Sequence, residues 1–534
     1  MCFCIVGLRL TIIYSVVDPR FWHSVTEDCI NFTYSKCKIF TKGTMPSIYN
    51  YLWLHISQLI RVILFSDEER FLKCFPVRYL LCFMCFTGIV LNYSLKASMS
   101  VAIVAMVRHT YVPYHTVNVT MEKLDICPIR STDITSYFHN GEFDWDEATQ
   151  SHIMTAFFCG YVATQLLGGR LSELYGSKIV VGPGVFLTGM LSLLSPVAAR
   201  LHVVAFIIMR VLSGAASGVI IPSVQGMVAK WWLVKERTLV GGIIIASLPV
   251  SVIISQSMSG VMAEFGGWPM IFYVFGGLSV LWCIPWIFIV YDTPESHPFI
   301  STEEKSSILA SIGSQEKKSL PVPWLAILTS LPMWANTIMM MGTTWIGETV
   351  LTQLPTYFSN VLHFNLSQSG ISSALPFIAL IITEVCSSLL SQWIQTKGYV
   401  SKLMAYHIFN TVHSFGVAIC LLCVTLVGCD SIIIVLLMIL LMATDGIYAG
   451  GSLMNYLDLG SNYAGTLSGF MHTFTNMTGM LTPIVAGLFI NGQETLTQWN
   501  KVFYVSIAVK LATYVVFLIF GSAESQPWNK PDLQ

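Results

Sequence analysis

Five side chains that can carry charge stand inside long apolar runs: Lys96, Arg210, Glu348, Glu384 and Asp445. A charge at membrane depth costs about 2.5–3.5 kcal/mol on insertion scales, so each is expected to face a polar interior and to serve a purpose there. Lys96 sits in Asn92-Tyr93-Ser94-Leu95-Lys96-Ala97-Ser98-Met99, where an ammonium facing a polar cavity could meet an anion. Arg210 could support it. Glu348, Glu384 and Asp445 could carry a coupled proton or balance a cation, and the alternative for all five is mutual pairing that only holds helices together. Ser213, Ser217, Thr343 and Gln353 could add neutral hydrogen bonds to a bound anion.

These residues need a scaffold in lipid. The 534 residues are 54% hydrophobic and only 11% charged, against roughly 25% charged in soluble proteins. With 28 Lys and Arg against 29 Asp and Glu, the net charge is -1. That balance excludes a large soluble multidomain protein, which needs more charge to cover its surface, and a nucleic-acid binder, which needs a basic face. A helix crossing about 30 Å of hydrocarbon takes roughly 20 apolar residues. Twelve such runs are predicted, near 79–107, 150–169, 179–198, 203–228, 239–262, 269–291, 332–357, 370–392, 403–425, 431–455, 465–489 and 500–521. The runs are continuously apolar rather than alternating, which argues against a closed barrel.

The polar stretch 292–331, with Glu303, Glu304, Lys305, Glu316, Lys317 and Lys318, divides the runs six and six. The expected organisation is an extension at 1–78 of unassigned role, a six-helix bundle at 79–291, a central loop at 292–331, a second bundle at 332–521 and a tail at 522–534. Lys and Arg concentrate in one set of alternate loops (Arg170, Lys178, Lys230, Lys235, Arg237, Lys305, Lys317, Lys318, Lys397, Lys402). The positive-inside rule then puts both termini and the central loop in the cytoplasm. Loop 108–149 faces the lumen or exterior, where Asn118-Val119-Thr120 is a glycosylation sequon within reach of the modifying enzyme. The 14 cysteines show no metal-ligand spacing, and Cys420 and Cys423 lie within an apolar helix, where packing is the expected role. No nucleophile–base pair, nucleotide loop or zinc spacing points to an enzyme, a cofactor or a metal, and His407 and His413 are expected to pack or end helices.

The loop between the second and third runs reads Gly169-Arg170-Leu171-Ser172-Glu173-Leu174-Tyr175-Gly176-Ser177-Lys178. It resembles the G-x-L-[AS]-[DE]-x-x-G-x-[KR] signature of the major facilitator superfamily. Glycines allow a tight turn, while Glu173 and Lys178, with Glu236 and Arg237, could latch neighbouring helices in one of two states. From about 78 to 521 the chain also resembles the sialin, vesicular glutamate and sodium-phosphate transporter family. The resemblance is carried by Phe157-Phe158-Cys159-Gly160-Tyr161, Thr164-Gln165, Gly168-Gly169, Trp231 with Glu236-Arg237, Gly267-Trp268, Phe272 to Gly276, Leu354-Pro355-Thr356-Tyr357, and Asn455-Tyr456-Leu457-Asp458 before Tyr463-Ala464-Gly465.

What that resemblance implies is an all-α membrane protein with the major facilitator fold, twelve helices in two six-helix bundles. Its activity would be secondary transport of a small anion, inorganic phosphate or an organic anion, with sodium or a proton as co-transported ion. The departures bear on substrate. The family's first-span arginine is Lys96 here, which keeps the charge but not the bidentate fork. The second arginine and the histidine of glutamate carriers correspond to Thr343 and Met154, and Glu348 occupies a family tyrosine position. Carboxylates implicated in the proton coupling of sialin-like members correspond to Ser213 and Ser217, and a histidine to Gln225. Coupling is therefore expected to have moved to Glu348, Glu384 or Asp445, or to use sodium or the membrane potential. The alternatives are a sialin-like proton-coupled carrier of lysosomes or vesicles and a receptor-like member that does not transport. Plasma membrane and lysosomal or vesicular membrane are both compatible with the chain.

Overall fold

The structure, a computed structural model, describes residues 76–108, 127, 141–232, 237–312, 322–490 and 495–529. The described residues fall into two compact units, 76–80 with 298–304, and those of 81–297 with those of 305–529. In the smaller unit the backbone N–H groups of Val77 and Arg78 donate to the Glu304 carboxylate at 3.1 and 3.2 Å.

The larger unit is helical, and its only strand-like pairing among the described residues is the isolated bridge between Val107 and Phe143. In chain order the helices are α1 (Val77–Ala97), α2 (Met99–Met106), α3 (Glu147–Tyr175), α4 (Ser177–Leu201), α5 (Val203–Gly218), α6 (Ile220–Trp231), α7 (Arg237–Ile245), α8 (Ser247–Gly266), α9 (Trp268–Ile289), α10 (Thr302–Ile312), α11 (Trp324–Leu328), α12 (Leu331–Asn360), α13 (Leu366–Thr396), α14 (Lys402–Val427), α15 (Ser431–Gly446), α16 (Asn455–Leu459), α17 (Ala464–Ile490) and α18 (Leu496–Phe520). Local chemistry sets their ends. Asp146, Ser401, Asp430 and Thr495 cap α3, α14, α15 and α18 through side-chain oxygens. Asn365 and Gln368 form a reciprocal capping box on α13.

Ten stretches among the described residues are long and apolar enough to cross a membrane. They match the expected runs except those at 150–169 and 332–357. There the structure has α3 and α12, of 29 and 30 residues, which are long enough to span but carry more polar side chains. The first expected run is two helices meeting at Ser98, with the hydrogen-bond ladder continuing through Ser98 N to Ser94 O at 2.9 Å. The central polar stretch holds α10 and α11 rather than loop alone. Acidic Glu303 and Glu304 in the first turn of α10 favour a helix there, and the Ser301 hydroxyl accepts from Glu304 N at 3.1 Å.

Small residues let helices approach backbone to backbone. A Cβ on Gly214 of α5 would lie 1.9 Å from the Phe157 carbonyl oxygen of α3, and one on Gly160 would meet the Val211 carbonyl oxygen equally closely at 1.9 Å. Between the two halves, α8 packs on α13 and α3 on α17. A Cβ on Gly260 would come within 2.6 Å of the Leu366 carbonyl oxygen, and Thr155 Oγ1 donates to the Met480 carbonyl at 3.2 Å. These contacts lie at the end of the bundle that carries loop 108–149. At the same end a disulfide joins Cys127 of that loop to Cys429 between α14 and α15, with 5.5 Å between Cα atoms. The two halves are thus closed together on this face.

Candidate anion site

The Lys96 ammonium at the end of α1 donates to Glu348 Oε1 of α12 at 2.6 Å. Both side chains are buried, 5% and 7% exposed. The ammonium also donates to the Tyr93 hydroxyl at 3.1 Å, one helical turn back. It lies 4.6 Å from the Tyr93 and Phe158 ring centres and 6.0 Å from that of Tyr161. Aromatic faces attract a desolvated cation by about 2 kcal/mol. In this state, then, Lys96 lies in an aromatic cage beside a carboxylate. Glu348 Oε2 is buried without a hydrogen-bond partner.

Arg210 of α5 lies 4.9 Å from the Phe157 ring centre, is 5% exposed, and its Nε has no hydrogen-bond partner. Phe157 stacks on Tyr161 at 5.9 Å and meets Phe158 edge-on at 6.1 Å. One aromatic wall on α3 therefore carries two buried cations, and the Glu348 carboxylate pairs with one of them, Lys96. Among the described residues the local sum is positive. Ser217 Oγ accepts from Asn92 Nδ2 at 2.7 Å, tying α1 to α5, and Ser213 is buried nearby on the same helix.

Other expected site residues lie elsewhere. Thr343 turns to the opposite part of α12, where its hydroxyl meets Lys510 Nζ at 2.9 Å and His413 Nε2 at 3.2 Å. Gln353 Nε2 donates to Thr352 Oγ1 at 3.3 Å and lines a small cleft with Tyr357, Trp499 and Phe503. Asp445 of α15 lies with Oδ1 3.7 Å from His413 Nδ1. Glu384 of α13 is within electrostatic reach of Asp445. Lys510 escaped the reading of the sequence although the rule that singled out the other five charges applies to it equally, and His413 belongs to a polar network rather than to packing alone.

At the α3–α4 turn, Gly169 leaves room for a Cβ, and Gly176 takes φ 93°, a backbone region that favours glycine. Lys178 N donates to Asp292 Oδ1 at 2.7 Å, and Lys178 Nζ lies 4.3 Å from the Tyr291 ring centre. The partner of this turn is thus the segment just after α9, a pairing that linear sequence does not announce. Glu236, the side chains of Glu173 and Arg237, and the sequon residue Asn118 lie outside the described residues, as does nearly all of the 1–78 extension.

On one side of the loop end, Arg200 Nε donates to Glu142 Oε1 at 2.8 Å, and the Trp268 indole to Glu142 Oε2 at 3.1 Å. These bonds, the arginine's first, hold the Glu142 carboxyl below its usual range. On the other face Asp458 accepts from the Lys402 ammonium, and from the Tyr406 hydroxyl at 2.6 Å.

The family profile described as Major Facilitator Superfamily matches residues 85–479. A Drosophila melanogaster protein provisionally named an inorganic phosphate cotransporter is 36% identical over 475 residues, 88% of this chain and 89% of its own length. Human sialin is 33% identical over 465 residues, 86% of this chain and 92% of its own. Vesicular glutamate transporter 3 of Danio rerio is 28% identical over 466 residues, 86% and 76% of the two chains. A crystal structure of a D-xylose-proton symporter superposes with a TM-score of 0.61 at 12% identity, covering 83% of this chain and 98% of that one. A bacterial homologue of the human lysosomal transporter Spinster, inward-facing and occupied, gives 0.59 at 9% identity, covering 83% and 96%. At such identities these two likenesses speak for the fold alone. With a helical membrane fold, a matching family profile and relatives aligned over most of their length, the chain is a multi-pass membrane transporter that belongs to the Major Facilitator Superfamily, in the family of sialin, the inorganic phosphate cotransporters and the vesicular glutamate transporters.

Proposed function

We propose that the protein carries a small anion, inorganic phosphate or an organic monocarboxylate, by ion-coupled alternating access, with Lys96 and Glu348 as an exchange pair. The observation behind this reading is the buried 2.6 Å ion pair between the two halves, with Arg210 held on the same aromatic wall. Two cations against one carboxylate leave room for one negative charge, and that of the cargo makes up the difference. An arriving anion takes the ammonium from Glu348. The freed carboxylate is then unpaired in a dry site, which favours its taking a proton and links anion movement to that ion. Sodium is the competing co-ion. The names of the relatives, phosphate cotransporter and sialin, agree with a cargo of this class.

In this reading the face bearing loop 108–149 is lumenal or extracellular, which suits both the sequon at Asn118 and the Cys127–Cys429 disulfide, a bond of oxidising compartments. Glycosylation at Asn118 and a plasma or lysosomal membrane belong to the same proposal.

The test is uptake of labelled phosphate and, separately, labelled sialic acid into liposomes holding the purified protein, with sodium, pH and potential varied one at a time. Saturable uptake abolished by Lys96→Ala, with the variant still folded, supports the reading. Undiminished uptake in Lys96→Ala removes Lys96 from the site. Anion-dependent thermal protection without any counterflow would favour the receptor-like alternative.

A further inference from the structure

A second polar constellation is buried in the C-terminal half, away from the ion pair. Lys510 of α18 is 0% exposed, and its ammonium donates to Thr343 Oγ1 at 2.9 Å. His413 of α14, also fully buried, lies with Nε2 3.2 Å from the same hydroxyl. Its Nδ1 lies 3.2 Å from the Thr444 carbonyl oxygen. Because a carbonyl can only accept, Nδ1 carries the hydrogen. In the neutral ring Nε2 then accepts from Thr343, whose hydroxyl turns instead to the Met339 carbonyl, 3.2 Å away, when the ring is charged. Asp445 is 6% exposed, and its Oδ1 has no hydrogen-bond partner. Glu384 of α13, half-buried, is within electrostatic reach of it, and the Tyr448 ring closes the group, 5.4 Å from that of His413 and 5.9 Å from Lys510 Nζ.

The charges do not balance. With the His413 ring neutral, Asp445 is within electrostatic reach of one ammonium, Lys510, and of a second carboxylate, Glu384. An excess negative charge in a helix bundle within the membrane is expensive, and one bound cation removes it. A metal ion would need several oxygen ligands and would sit beside an ammonium, which repels it. A proton needs one acceptor, and the unpartnered Oδ1 is that acceptor.

We propose that Glu384, His413, Asp445 and Lys510 form a proton-binding site distinct from the Lys96–Glu348 pair, with Asp445 Oδ1 the atom that takes the proton. The step is carboxylate plus a proton from water to carboxylic acid, and nothing else is made or broken. Uptake weakens the pull of Asp445 on Lys510, which holds Thr343 of α12. Glu348 lies five residues along the same helix, about 7.5 Å further on, so the proton's occupancy reaches the ion pair through α12. That consequence rests on the anion reading; the proton site itself does not.

Infrared difference spectra of the full-length protein in lipid, recorded across a pH series in water and deuterium oxide, test the site without any cargo. Wild type is expected to show a carbonyl stretch of a protonated carboxyl that shifts on deuteration, titrates with pH, and is absent in Asp445→Asn. Lys510→Met, which removes the opposing charge, is expected to move its midpoint up by about 1–3 pH units, and provides the reading if Asp445→Asn does not fold. Persistence of the band in Asp445→Asn, its loss in Glu384→Gln instead, or an unmoved midpoint in Lys510→Met overturns the assignment. Absence of phosphate or sialic acid uptake would strike only the anion reading.

Discussion

Lys96 and Glu348 illustrate why a buried ion pair is informative about function and weak as a source of stability. Each charge loses its hydration, and the 2.6 Å contact returns a comparable amount. Removing one partner leaves the other stranded. Lys96→Met is therefore expected to destabilise the protein by about 3–5 kcal/mol, whereas Lys96→Met combined with Glu348→Leu recovers most of that loss. Thermal melts of the purified variants check both halves of this statement. In uptake assays the double variant is expected to stay inactive while melting near wild type. A double variant as unstable as the single would mean that the pair contributes more than compensation.

Helices in this fold are placed by what their small residues allow. At Gly214 the backbone of α5 lies against that of α3, and a Cβ there would sit 1.9 Å from the Phe157 carbonyl oxygen. Gly214→Ala must push α5 away from the wall that carries Arg210 and the Lys96 cage. We expect a loss of about 1–3 kcal/mol together with reduced uptake. Gly277 of α9, with nothing within 4 Å of an added Cβ, is the control, and Gly277→Ala should melt like wild type. The tie between the ends of α4 and α9 through Glu142 gives a pH-dependent counterpart. Its carboxyl titrates lower in the folded protein, so the stabilisation is complete above the ordinary carboxylate pKa of about 4.3 and is lost as pH falls through the depressed native value. Glu142→Gln is expected to melt slightly below wild type near neutrality, by an amount worth about 1 kcal/mol or less for so exposed a pair. The two proteins should converge in strong acid; a gap that widens on acidification would contradict the assignment.

At the scale of the molecule, the face carrying loop 108–149 is held shut by close helix contacts and by a covalent link. Cys127 and Cys429 are 302 residues apart in sequence and belong to different halves. With a protease site inserted into the central loop between residues 312 and 322, cleavage is expected to leave the halves running together on a non-reducing gel and apart after reduction. Comigration after reduction, or separation before it, would refute the link. Closure on this face also depends on Gly370, where a Cβ would come within 2.5 Å of the Gln256 carbonyl oxygen. Gly370→Leu should hold the halves apart there and raise the labelling of cysteines placed along α8 and α13.

Most of the helices and the likeness to a transporter family were legible because hydropathy over a span is a local, additive property, and because Gly169 to Lys178 and the Phe157 to Tyr161 stretch are continuous in the chain. The cost of intramembrane charge likewise marked Lys96, Arg210, Glu348, Glu384 and Asp445 one residue at a time. Pairing is not additive in this way. That Lys96 meets Glu348, 252 positions away, while Thr343 on the same helix turns to Lys510 and His413, depends on the rotation and packing of several helices together. So does the joining of Cys127 to Cys429. Which charges needed a partner follows from sequence alone, because burial in hydrocarbon penalises each one separately; only the tertiary arrangement chose the partners, because that choice is made by distances between helices.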